Sequence, residues 1–122
     1  MIISQMYTGV GTANVDEAAK IYTEKFGYEI KHKLNTSTCK IYVMRNLYNE
    51  FDLVEGEAFE PGMAVFRISV RNFDDSVKEA LDLGLKQISD VVDDERIKYT
   101  FFKNDNGTIF IISHHKKVDI YV

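Results

Sequence analysis

The chain of 122 residues has one cysteine, one proline and no tryptophan. A lone thiol, Cys39, excludes an internal disulfide framework, and the absence of any Cys-x-x-Cys or Cys/His cluster excludes a structural zinc site of the usual kind. Within "TCKIYVM" Cys39 reads as a small buried hydrophobe rather than a nucleophile. Basic charge is also scarce: 15 Lys and Arg stand against 19 Asp and Glu, giving a net charge of −4 and a pI near 5.3. With no contiguous basic run longer than Lys116-Lys117, a nucleic-acid or anionic-membrane surface is excluded. No segment approaches the roughly 20 apolar residues of a membrane span. The opening "MIISQMYTGVG" lacks the basic start of a targeting peptide, so a soluble, cytoplasmic protein is expected. The sequence contains no GxGxxG, P-loop, GxSxG or HExxH pattern.

What is present is a mixture, 45% hydrophobic and 28% charged, that suits one compact domain. Within it a pattern is written twice. "NVDEAAKIYTEKFGYEI" (14–30) aligns with "NFDDSVKEALDLGLKQI" (72–88), matching Asn14 to Asn72, Asp16 to Asp74 and Lys20 to Lys78; one deletion then brings Gly27 onto Gly84. Each copy has the parts of a helix. Asn14 and Asn72 stand where an N-cap accepts from the first turn, with an acid three residues on. Val15, Ala18, Ala19, Tyr22 and Phe26 form an apolar stripe in the first copy; Phe73, Val77, Ala80 and Leu81 form one in the second. Gly27 and Gly84 then supply the left-handed stop.

Strand-like runs flank both helices: "QMYTGVGTA", "YEIKHKL", "TCKIYVM" and "EFDLV" in the first half, and "MAVFRISVR", "KQI", "IKYTFFK" and "TIFIIS" in the second. The stretches "LNTST", "RNLYN", "VVDDE" and "NDNG" have turn chemistry. The expected architecture is α+β: two βαβββ modules, about 3–57 and about 63–113, joined near Pro61 and followed by a tail, 114–122. They form a curved mixed sheet with both helices on the outer face and an open concave cup as the natural ligand site.

This paired arrangement resembles the vicinal oxygen chelate superfamily, which includes glyoxalase I, extradiol dioxygenases and bleomycin resistance proteins. The resemblance rests on the acid, mid-helix Tyr and closing Phe-Gly-Tyr of "NVDEAAKIYTEKFGYEI". It rests also on "NDNGTIFII", which is similar to the family's Asp-Pro-Asp-Gly turn and last strand, with Asp105 where Pro is usual. It implies a homodimer and, in metal-dependent members, four inward strand positions that hold one divalent ion with His or Glu. Carried onto this chain, those positions are Tyr7, Asp52, Val65 and Ile111. Only Asp52 is an ordinary ligand, so no metal and no cofactor are expected.

Alternation then sorts the strands. Tyr7, Gly9, Gly11, Glu50, Asp52, Val65, Arg67, Ser69, Ile109 and Ile111 face the cup; Val10, Phe51, Leu53, Phe66, Ile68, Val70, Phe110 and Ile112 face the helices. Arg67 either holds an anionic ligand or pairs with Asp52 or Glu50. The phase of 97–103, with Tyr99, Phe101 and Phe102, stays open. His32 is expected in solvent, and His114-His115 past the last strand. The candidate ligand-binding residues are thus Tyr7, Asp52, Val65, Arg67 and Ile111, with no catalytic residue assigned. The expected function is metal-free binding or sequestration of a small, partly aromatic molecule. The alternatives are a metal-dependent or metal-free lyase, isomerase or dioxygenase of the same superfamily, and a non-catalytic dimeric scaffold with a filled cup.

Overall fold

The computed structural model describes residues 1–116, so residues 117–122 of the expected tail lie outside the described part. The elements run β1 (Ile3–Gly11), α1 (Val15–Phe26), β2 (Glu29–Asn35), β3 (Lys40–Arg45), β4 (Glu50–Glu55), β5 (Ala64–Val70), α2 (Phe73–Asp82), β6 (Lys86–Gln87), β7 (Val92–Asp93), β8 (Ile97–Lys103) and β9 (Ile109–His115). This is the α+β class, β-α-β-β-β twice, with β7 an extra element in the second copy. Two compact units result, one of residues 7–65 and the other of Met1–Met6 with Phe66 onward. No helix among the described residues is long and apolar enough to cross a membrane.

In the unit of residues 7–65 the strand order is β2-β3-β4-β1. Hairpin neighbours pair antiparallel, whereas β4 lies parallel to β1, with Gly9 opposite Asp52 and Val10 opposite Leu53. Glycine is required at position 9, because a Cβ there would lie 2.9 Å from both the Cβ and the carbonyl oxygen of Asp52. Helix α1 starts where the Asn14 side chain accepts from the Glu17 amide at 3.0 Å, and the Glu55 carboxylate accepts from the Val15 amide at 2.8 Å. It stops at Gly27, whose φ of 71° only glycine adopts freely.

The helix lays Val15 and Ala19 on Tyr42, Met44 and Leu53, with Val10, Ala18, Tyr22 and Phe51 at the margin. Closing a side chain such as Leu53 or Met44 from water stabilises the fold by roughly 1.5–3 kcal/mol. Phe26, expected in this stripe, is 62% exposed. Its ring lies 5.8 Å from that of Tyr22 at the exposed end of the stripe.

In the other unit the order is β5-β9-β8-β6, with β7 also on β8. Helix α2 repeats the start, the Asn72 side chain accepting from the Asp75 amide at 3.1 Å. Its stop lies at Gly84 as expected: φ is +88°, and the Gly84 and Leu85 amides donate back to the carbonyls of Leu81 and Ala80. Phe73 and Ala80 pack on Ile68, Val70, Phe102 and Ile112. Leu81 is 48% exposed rather than part of the stripe, because one residue past Ala80 the helix has turned by about 100°.

Two further expectations need correction. "VVDDE" is a hairpin end rather than a plain turn: Val92 and Asp93 pair with Tyr99 and Lys98, while the Asp94 carboxylate accepts from the Arg96 and Ile97 amides. The two histidines do not lie beyond the last strand. Strand β8 begins at Ile97 and offers register partners to both, Lys98 to His114 and Ile97 to His115, so β9 runs on to His115.

Candidate functional site

Each module has a strand face turned away from its helix, and the candidate residues lie there. Val10, Phe51 and Leu53 belong to the α1 cluster; Ile68, Val70, Phe110 and Ile112 belong to the α2 cluster. Phe66 stacks on Phe110 with ring centroids 5.6 Å apart. By alternation Asp52, Val65, Arg67 and Ile111 point the other way. Tyr7 is half-buried, whereas Asp52, Val65, Arg67 and Ile111 are at most 2% exposed.

In the unit of residues 7–65, Asp52 lies in register with Val43 and Gly9. Around it Ile41, Val43 and Val54 are closed from water as well. Glu50 pairs with Lys31 at 3.0 Å. Cys39 is buried with its Sγ 3.4 Å from the Thr36 hydroxyl, in keeping with a packing role. His32 is exposed on β2 beside a register irregularity.

In the other unit, the Arg67 guanidinium lies 3.2 Å from His115 Nε2. Arginine has only donors, so Nε2 is the acceptor in this contact. Sequence reasoning missed His115. The signal was alternation carried two residues further, since Ile109, Ile111, Ser113 and His115 share one face of β9. Tyr99 and Phe101 stack with centroids 5.4 Å apart, opposite Ser113 and Ile111 in register, so they fill this same face; Phe102 lies under α2. His114 Nδ1 lies 2.9 Å from the Val70 carbonyl and reads as its donor.

No family model and no curated protein matches this chain. Solved structures do, over nearly its whole length. A single-substitution variant of the methylmalonyl-CoA epimerase of Streptomyces coelicolor, in complex with 2-nitronate-propionyl-CoA, is similar at 13% identity and TM-score 0.72, over 95% of this chain and 97% of that one. The methylmalonyl-CoA epimerase of Mycobacterium tuberculosis gives 12% and 0.67, over 95% and 91%. A hypothetical protein of Bacillus halodurans gives 13% and 0.66, over 92% and 94%. The chain has the vicinal oxygen chelate fold. At such identities the likeness is one of fold, and no residue's role follows from it.

The four positions that the resemblance assigns to a divalent ion carry a phenol, a carboxylate and two hydrocarbons, Tyr7, Asp52, Val65 and Ile111. Valine and isoleucine have no lone pair to give. Among the described residues no three of His, Cys, Asp and Glu stand close enough to hold an ion. The donor set therefore does not fit a divalent metal. Nor does Tyr42 supply a base: it donates to the Asp16 carboxylate at 2.5 Å, which pushes its pKa up to about 12.

Proposed function

We propose that this vicinal oxygen chelate protein binds a small, partly aromatic molecule without holding a metal or transforming the ligand. The candidate ligand-contacting residues are Tyr7, Asp52 and Val65 in the unit of residues 7–65, and Arg67 and Ile111 in the other unit. One observation carries the reading: two ionisable side chains, Asp52 and Arg67, are kept at 1% and 2% exposure on strand faces turned away from the helices. Burying an ion costs several kcal/mol before any pairing offsets it, so a face that only filled space would be cheaper in Val and Ile. A guanidinium also suits a ligand carboxylate or phosphate. Because Asp52, Val65, Arg67 and Ile111 are closed to solvent, entry to them requires local opening of the strands or their ends. In this reading the protein is a cytoplasmic homodimer.

The test is elemental analysis and native mass spectrometry of protein purified without an affinity tag. The expected result is metal far below one atom per chain and a non-covalent organic adduct that Arg67→Gln weakens while the circular dichroism spectrum is kept. Stoichiometric Ni, Zn, Fe or Mn overturns the metal-free reading. An adduct indifferent to Arg67 overturns the placement. No adduct, with an intact dimer, favours a filled scaffold.

A second reading, an acyl-CoA-transforming enzyme, is favoured by the fold likeness to methylmalonyl-CoA epimerases. Incubation with methylmalonyl-CoA in deuterium oxide tests it. No exchange of the substrate's C2 proton above the protein-free rate is expected, and accelerated exchange would reverse the order of the two readings.

A further inference from the structure

Apart from the buried strand faces, the unit of residues 7–65 has an open cleft of about 310 Å³ lined by Thr8, Val10, Tyr22, Tyr28, Asn49 and Phe51. That volume is at the lower end of the roughly 300–1,000 Å³ of small-molecule sites. The cleft lies on the helix side of β1 and β4, opposite to Asp52. Its lining includes no charged side chain.

Three rings form its wall. Tyr22 and Phe51 have centroids 4.9 Å apart at 64°, Tyr28 and Phe51 5.2 Å at 89°, and Tyr22 and Tyr28 5.7 Å at 86°. These are edge-to-face contacts, the favourable arrangement of ring quadrupoles, so each ring holds the others in place. All three are half-buried: their backs pack on the α1 core while part of each faces the cleft. A wall fixed in advance loses little side-chain entropy when a ligand arrives.

The polar groups at the rim are directional. Asn49 Nδ2 donates to the Tyr28 hydroxyl at 3.0 Å, which leaves the Tyr28 hydrogen for an acceptor and Asn49 Oδ1 for a donor. The Asn49 side chain is placed by a turn in which Asn46 Oδ1 accepts from the Tyr48 and Asn49 amides at 2.9 and 2.8 Å. We infer that this cleft is a binding site for an uncharged aromatic molecule of one or two rings bearing one hydrogen-bonding group, of the indole or phenol kind. A charged ligand would lose its hydration there and find no counter-ion.

The test uses the full chain labelled with 15N and titrated with indole, with benzoate as the charged comparison. Saturable shifts are expected at the amides of Thr8, Val10, Asn49 and Phe51, with indole binding at least ten times tighter than benzoate. Thr8→Phe, at an exposed strand position that tolerates an aromatic ring, fills the cleft and should weaken indole at least tenfold. Tyr28→Phe keeps the wall but removes one hydrogen bond, and should weaken indole by about 2- to 10-fold. Shifts centred elsewhere, affinity unchanged in Thr8→Phe, or benzoate binding equally well would each overturn the assignment. Shifts at the same amides on raising protein concentration without indole would overturn it too, by showing that a second copy covers the cleft.

Discussion

Replacing Tyr42 with Phe isolates one interaction whose pH dependence can be worked out in advance. The Tyr42 ring is buried beneath α1, and its hydroxyl donates at 2.5 Å to Asp16, in the first turn of that helix. Chiefly that hydrogen bond, then burial and the nearby charges of Asp16 and Glu55, push the phenol up to about 12 from 10.0. A shift of two units corresponds to nearly 3 kcal/mol. Asp16 is exposed, however, and solvent screening of the carboxylate brings the expected contribution down to about 1 kcal/mol.

The sign follows from linkage. Below pH 10 both folded and unfolded states keep the proton and the bond contributes fully. Between 10 and 12 the unfolded chain ionises while the folded one does not, so the contribution declines, and above 12 it is gone. Urea unfolding of wild type and Tyr42→Phe at pH 7, 9, 11 and 12 should therefore give a difference of about 1 kcal/mol that stays level to pH 9 and shrinks towards zero by 12. A constant difference across that range, or none at neutral pH, would refute the assignment of the shift to this bond.

Other consequences are as direct. Phe102→Ala, beneath α2 at 0% exposure, should cost about 3–5 kcal/mol in chemical denaturation, whereas Leu81→Ala should stay within about 0.5. Removing either N-cap, Asn14→Ala or Asn72→Ala, should cost about 1 kcal/mol each, and the two losses should add because the sites share no partner. Gly11→Ala would set a Cβ 2.3 Å from the Glu60 carbonyl oxygen, so strand and connector must part. A loss of at least about 2 kcal/mol in thermal or urea unfolding is expected, with Gly27→Ala, which meets no atom within 4 Å, losing less.

The repeat, both helix starts and both helix stops were legible in the sequence because they are local. An Asn side chain reaches amides two or three residues ahead, and a glycine at positive φ needs nothing from elsewhere in the chain. The phase of β1, β4, β5 and β9 was legible too, since the pleat has a period of two whatever the strand lies against. What failed was local reasoning at element ends. The spacing of α1 put Phe26 in the apolar stripe, but could not tell that it ends 62% exposed. The run "VVDDE" looked like a turn because its acids suit one, and its pairing to Tyr99 and Lys98 belongs to β8.

The candidate site divides along the same line. At two of the positions that the resemblance assigns to a metal, the residue types Val65 and Ile111 offer it nothing, because donor chemistry is a property of the residue type. Only the tertiary structure decided that Arg67 meets His115, since that contact joins residues 48 apart on separate strands, and that Asp52, Val65, Arg67 and Ile111 are closed to solvent. It alone gathered Tyr22, Tyr28 and Phe51 into one wall. Burial and convergence are sums over distant parts of the chain, and no window of neighbouring residues contains them.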